Sequence, residues 1–148
     1  MRTTTMSTTE DNTELVRRYL RAFNDRDWEA LTDHLAPDAV EHGVHETLDG
    51  PEEIVSFLRS YFEVFPDYEG RTETTVAEGD TVAVRYRAAG TQSDQYHDVE
   101  PTAQTVEWSG IAMYRVDDGQ IAEIWVEEDR LGVLEQLEAI DPPAHLRI

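Results

Sequence analysis

The stretch IAEIWVEEDR, residues 121–130, sets Glu123, Glu127, Glu128 and Asp129 around Trp125 in a segment with the alternation of a strand. A carboxyl held beside an indole is poorly solvated. Desolvation disfavours its charged form and raises its pKa toward neutrality, where it can exchange protons with a ketone oxygen or its neighbouring carbon. A period of two puts Ile121, Glu123, Trp125, Glu127 and Asp129 on one side of the strand and Ala122, Ile124, Val126 and Glu128 on the other. The second side is apolar until Glu128 and reads as core or dimer contact. The first reads as a polar-tipped pocket wall, which narrows the choice to Glu123, Glu127 and Asp129. The partner strand leaves two registers open. A two-residue turn at Asp118-Gly119 sets Trp108 opposite Asp129, and a three-residue loop with a glycine bulge shifts the pairing by one.

Other chemistries are bounded by what the chain lacks. It has no cysteine, which excludes disulfides, thiolate metal sites and thiol nucleophiles. No glycine-rich phosphate loop, dinucleotide fingerprint, nucleophile elbow or helical HExxH occurs. His42 and His45 stand three apart, and in an extended segment that spacing points them to opposite faces, so no metal site is assigned. His34 reads as a polar helix position, and His97 and His145 as surface residues. What remains is acid/base work by carboxylates and histidines without metal or cofactor, or simple binding.

The chain holds 32 acids against 12 basic residues, all arginine, for a net charge of −20. The acids run from Glu10 to Asp141 rather than forming a tail. Such a surface repels itself in dilute buffer and is screened by salt. The acidic, lysine-free pattern resembles proteins of salt-accumulating archaea. Nucleic acid and anionic membrane are poor partners for it, and its field would repel a strongly anionic substrate. No apolar run reaches bilayer length and no signal peptide is visible, so the expected location is the cytoplasm.

The elements that must position these groups follow from periodicity. Residues 1–12 read as a loose tail and 13–148 as one domain. Leu15, Val16, Tyr19, Leu20 and Phe23 recur at helical spacing, and Asp27 caps a second helix carrying Trp28, Leu31 and Leu35 and ended by Pro37. DAVEHGVHETL reads as a short extended stretch. GPEEIVSFLRSYFEVFPD is a third helix with Gly-Pro at its start, two acids in its first turn and Pro66 at its end. From Gly70 the period changes to two. One hairpin turns at Glu78-Gly79-Asp80, and a longer one, TVEWSGIAMYRV and IAEIWVEED, turns at DDGQ before a short terminal helix. Helices first and antiparallel strands afterwards give an α+β domain with helices on one side of a curved sheet.

In order, the motifs FNDRDWEAL, FPDY, AEGDTVAVRYRAAGT, PT, YRVDDGQIAEIW with Asp129 after it, and LGVLEQL resemble the SnoaL-like polyketide cyclases of the nuclear transport factor 2-like superfamily, over about Leu15 to Leu137. The resemblance implies a cone in which N-terminal helices pack on a strongly curved, mainly antiparallel sheet and enclose an apolar pocket. It implies homodimers formed through the sheet, and ring closure by intramolecular aldol condensation without metal or cofactor. It assigns the acid/base role to Asp129, four residues past Trp125, and matches His42 to a histidine common in relatives. Gln92 stands where the family often has a histidine, SDQYHDVE replaces a glycine-rich stretch, and Ala103 replaces a glycine; His97 could serve for the missing histidine. On this reading Asp129 and His42 are catalytic. Gln92, Trp125, Trp108, Tyr114 and Phe62 contact a small hydrophobic carbonyl-containing ligand. Two alternatives stand beside it. One is a non-catalytic dimer that binds a small hydrophobic ligand. The other is an epoxide-opening hydrolase, which needs a second pocket carboxylate paired with Arg or Asn; Arg85 or Arg87 supplies the cation if its side chain faces inward.

Overall fold

The computed structural model describes residues 8–141. Helix α1 spans Thr8–Asn24, with Glu10 and Asp11 in its first turn, where acids favour the helix dipole. Of the residues 1–12 expected as a loose tail, those from Thr8 onward belong to this helix. Residues 8–12 are helical, and buried Asn12 reaches the carbonyl of Gly79 at 3.4 Å. Residues 1–7 and His145 lie outside the described residues. Helix α2, Trp28–Asp33, is capped by Asp27, whose carboxylate accepts from the Ala30 amide at 3.2 Å. It ends at His34, before Pro37, so Leu35 begins a strand instead of closing the helix.

The extended stretch that follows is two strands, β1 (Leu35–His42) and β2 (Thr47–Asp49), leading into α3 (Gly50–Val64). The two hairpins are β3 (Glu69–Glu78) with β4 (Thr81–Thr91), and β5 (Thr105–Asp117) with β6 (Gln120–Glu128); α4 (Arg130–Gln136) closes the fold. The six strands form one curved sheet in the order β2-β1-β6-β5-β4-β3, antiparallel except where β1 lies parallel to β6. Val16, Tyr19, Leu31, Ile54, Val82, Val84, Ile121 and Ile124 fill the space between helices and sheet. A second apolar cluster, Phe65, Trp108, Val106, Val133 and Leu137, sits under α4.

The β5–β6 register combines features of both expected registers. Asp117 pairs with Gln120 and Val116 with Ile121 across a two-residue turn, with Asp118 and Gly119 both at positive φ. Arg115 then pairs with Glu123, which leaves Ala122 as an extra residue. The bulge shifts everything beyond it by one, so Glu128 faces Gly110 and the Asp129 amide donates to the Ser109 carbonyl at 3.0 Å. Ile121 and Ala122 are both buried at the bulge, and from Ala122 onward the even-numbered residues face the helices.

Candidate active site

Cross-strand rows on the concave face of the sheet build the site. Val82, Tyr114 and Ile124 form one row, Val84, Ala112 and Val126 the next, and Tyr86, Gly110 and Glu128 the third. Together with α1, α3 and β1 they enclose a cavity of about 440 Å³. Its apolar wall includes Leu20, Phe23, Phe57, Leu58 and Val126. Two carboxyls, Glu41 and Glu128, enter it from neighbouring strands β1 and β6.

Glu128 is surrounded by donors. The Tyr61 hydroxyl donates to Oε2 at 2.7 Å, the Tyr86 hydroxyl to Oε1 at 2.8 Å, the Trp108 indole N–H to Oε1 at 3.2 Å and Arg130 Nε to Oε2 at 3.4 Å. The side chain is only 5% exposed. Burial first, then the Glu128 charge, pushes the Tyr61 and Tyr86 hydroxyls far up, so both keep their protons and act as donors. Arg130 also donates to Glu46 at 3.0 Å, tying the loop after β1 to the same cluster.

Glu41 is the opposite case. It is 3% exposed, and its carboxyl makes no hydrogen bond among the described residues. Desolvation, then the like charges of Glu128 and Glu46, push it from its ordinary 4.5 up to about 7, against the opposing pull of Arg130. Tyr19 and Tyr114 lie nearby, edge to face at 5.8 Å, and the Tyr19 hydroxyl is buried without a partner. Glu41 and Glu128 thus share one cavity, the first bare and the second clasped by donors.

The residues singled out in the sequence are placed differently. Asp129 is exposed and caps α4, its carboxylate accepting from the Gly132 amide at 2.8 Å; it does not line the cavity. β6 ends at Glu128, on the same side as Ile124 and Val126, and the chain turns at Asp129 into α4, which keeps that carboxylate at the helix start. His42 lies on the convex face, stacked on Trp125 with ring centroids 5.7 Å apart and donating to Glu123 at 2.7 Å. That bond, followed by those of Arg115, holds the Glu123 carboxyl below its usual range. Trp125 is 37% exposed on the same convex face, in a row with Val76, Ala83 and Met113.

Gln92 is buried, but its amide is used on its own loop. It donates to the carbonyls of Asp94 and Val99 and accepts from the amide and hydroxyl of Thr102. Phe62 packs on Phe23, Trp28 and Tyr68 under the Arg26 guanidinium and not on the cavity. Tyr114 lines the main cavity and Trp108 an adjoining smaller one. Arg85 pairs with Glu73 and Arg87 shares its convex side; the cation at the cavity's acids is Arg130. Among the described residues no three of His, Cys, Asp and Glu converge as a metal-binding group, and no helix is long and apolar enough to cross a membrane.

Glu41, Glu128, Tyr61, Tyr86 and Arg130, which the sequence motifs do not point to, line the main cavity. Signals for two of them were present. The even side of β6 is apolar as far as Val126, and the next residue on it is Glu128. Along β1, Ala39 and Glu41 alternate onto the buried side.

Helices packed over a curved six-stranded sheet around an acid-bearing cavity define an α+β fold of the nuclear transport factor 2-like kind. The family model for SnoaL-like polyketide cyclase matches residues 13–137, and the chain belongs to that family. IdmH from Streptomyces antibioticus, a polyketide cyclase candidate, is 31% identical, with a TM-score of 0.78 over 86% of this chain and 98% of its own. A SnoaL-like polyketide cyclase candidate from Jannaschia sp. CCS1 is 24% identical, with a TM-score of 0.83 over 95% of this chain and 100% of its own. AclR from Streptomyces galilaeus, a candidate hydroxylase, is 24% identical, with a TM-score of 0.81 over 90% and 99%. No curated protein matches the chain.

Proposed function

We propose that this chain is a cofactor-independent acid/base enzyme that closes a ring in, or isomerises, a small hydrophobic carbonyl compound, with Glu41 carrying the proton. The observation behind this reading is a buried, unpartnered carboxyl on the cavity wall that titrates near neutrality. As the carboxylate, Glu41 takes a proton from the carbon next to a carbonyl. The enolate carbon then bonds to a second carbonyl carbon of the same molecule, and Glu41 returns its proton to the new alkoxide. Glu128, clasped by its donors, fixes the cavity wall, and its charge keeps Glu41 from ionising early.

The test is hydrogen–deuterium exchange at the α-carbon of cyclic ketones and 1,3-diketones, followed by NMR. Glu41→Gln is expected to lower the exchange rate by roughly 10²-fold or more while ligand binding persists. Exchange at the wild-type rate in that variant would sink the reading. A second reading, hydrolytic epoxide opening, is favoured by Arg130 standing with Glu128 and Glu46 close to Glu41. Turnover of an epoxide with oxygen taken from ¹⁸O-water would select it.

We infer that the protein works as a homodimer joined through the convex face. That face exposes Val76, Ile111, Met113 and Trp125. It carries Arg71 and Arg87 side by side near one edge, and Glu127 on the far side of Ile111. A two-fold axis through the middle sets each basic edge against the other copy's acids. The acid excess supports adaptation to high salt. Dialysis from molar potassium chloride to dilute buffer is expected to abolish the far-ultraviolet circular dichroism, and an unchanged spectrum would refute that reading.

A further inference from the structure

A smaller cavity of about 150 Å³ lies on the other side of the Glu128–Arg130 wall, sharing Phe57 and Tyr61 with the main one. We propose that it is a subsite for a single aromatic ring, and, resting on the function proposed above, that this ring is a substituent of the substrate whose carbonyl part occupies the main cavity.

Five aromatic side chains line it: Phe57, Tyr61, Phe65, Tyr96 and Trp108. Flat π faces in edge-to-face and tilted contact favour another ring. Phe65 is tilted against Trp108 at 5.2 Å and against Tyr96 at 5.8 Å, so the walls already hold each other in such geometry. A cavity of about 150 Å³ is the size that takes up one benzene ring. Its polar lining is Ser60, Glu128, Arg130 and His97, whose ring makes no hydrogen bond among the described residues. The bonds to Glu46 and Glu128 occupy only part of the five-donor fork of Arg130, which leaves N–H groups for an oxygen on the ring.

The loop that brings Tyr96 and His97 to this place is held at a cost. Gln92 is 1% exposed and spends its amide on the backbone of Asp94, Val99 and Thr102 and on the Thr102 hydroxyl. Tyr96 and Val99 bond each other in both directions, at 3.0 and 2.9 Å. His97 sits at φ 52, a left-handed conformation that costs a residue with a side chain free energy and persists only when its surroundings enforce it. A buried amide and a strained backbone that together fix one aromatic wall are what a preorganised binding surface requires. Gln92 is a positioning residue for this chamber.

Methyl-labelled protein with two probes tests the inference. Phenol is expected to give nuclear Overhauser effects to the Val64 and Val133 methyls, and 1-tetralone to those of Leu58 and Val126. Ser60→Phe, which fills the small chamber, removes the phenol contacts and leaves those of 1-tetralone, and Gln92→Ala weakens phenol binding in the same selective way. In the wild type, 2-benzyl-1-tetralone binds about tenfold more tightly than 1-tetralone, and that gain vanishes in Ser60→Phe. Phenol contacts confined to the main cavity, phenol contacts that survive Ser60→Phe, or equal affinity for the two ketones would each overturn the subsite. Failure of 1-tetralone to reach Leu58 and Val126 while phenol still contacts Val133 would instead count against the proposed function, leaving the chamber as a ring site.

Discussion

Tyr86 lies directly across Gly110 on its way to Glu128, and its phenol occupies the place where a β-carbon on that glycine would stand. Glycine is needed here because the ring must pass flat over the backbone of β5. Gly110→Ala is expected to displace the Tyr86 ring, break its bond to Glu128 and destabilise the fold by about 1–3 kcal/mol. Chemical denaturation measures the loss, and a crystal structure of the variant shows whether the ring has moved.

Glu41 binds its proton more tightly in the folded chain than in the unfolded one, because burial lifts it from 4.5 to about 7. Its contribution to stability is therefore complete below about pH 4.5. It is lost as pH rises through 7, by about 3 kcal/mol in all. Glu41→Gln cannot ionise and lacks this dependence. Guanidinium melts of both proteins between pH 5 and 8, in molar potassium chloride, should converge at the acid end and diverge toward pH 8 in favour of the variant. Parallel curves would mean that Glu41 is not desolvated.

The adjacent acids Glu128 and Asp129 should separate cleanly. Asp129→Ala removes a helix cap and costs about 1 kcal/mol in thermal denaturation, with α-carbon exchange unchanged. Glu128→Gln turns an NH₂ group toward donors and leaves Arg130 with less charge to meet. It should cost about 2–3 kcal/mol and depress exchange severely. The reverse order of effects on exchange would restore Asp129 as the catalytic acid.

How far the sequence could be read is clearest at these two residues. The helices, both hairpins and the two-residue turn at Asp118-Gly119 follow from periodicity and turn chemistry, which act locally. The face of each β6 residue beyond the turn does not. One extra residue at Ala122 buries Ile121 and Ala122 together and shifts the register against β5 by one, and bulges answer to the packing of the whole sheet. Alternation groups Glu123, Trp125 and Glu127 on one side of β6 and Ala122, Ile124, Val126 and Glu128 on the other, as observed. Which side lines the cavity is set by packing, and it is the second, with Trp125 on the convex face. The same question of side decides His42. Its neighbour Glu41, on the strand's opposite side, is the one that turns inward.

Ala103 holds φ at 59, in the position where relatives were expected to carry glycine. Ala103→Gly relieves the left-handed strain, offset in part by the greater freedom of glycine in the unfolded chain. A net stabilisation of up to about 1 kcal/mol is expected by guanidinium melts, with no change in ligand binding.

Met113→Asp and Ile111→Asp place charge in the middle of the exposed convex face without touching the core. Light scattering should report a dimer for the wild type and a monomer for the double variant. Monomer stability should shift by no more than about 0.5 kcal/mol. A wild-type monomer would end the dimer reading.

The ring of donors around Glu128 also gives the cavity a hydrogen-bond polarity. A phenol has one proton to give, and those of Tyr61 and Tyr86 are already given, as is the indole proton of Trp108. What the two tyrosines still offer at this end is lone pairs, which welcome an enol or hydroxyl O–H and repel a bare carbonyl. The protonated carboxyl of Glu41 is the complementary donor within the same cavity. A molecule that carries both groups is therefore oriented by the direction of its protons before any shape is read.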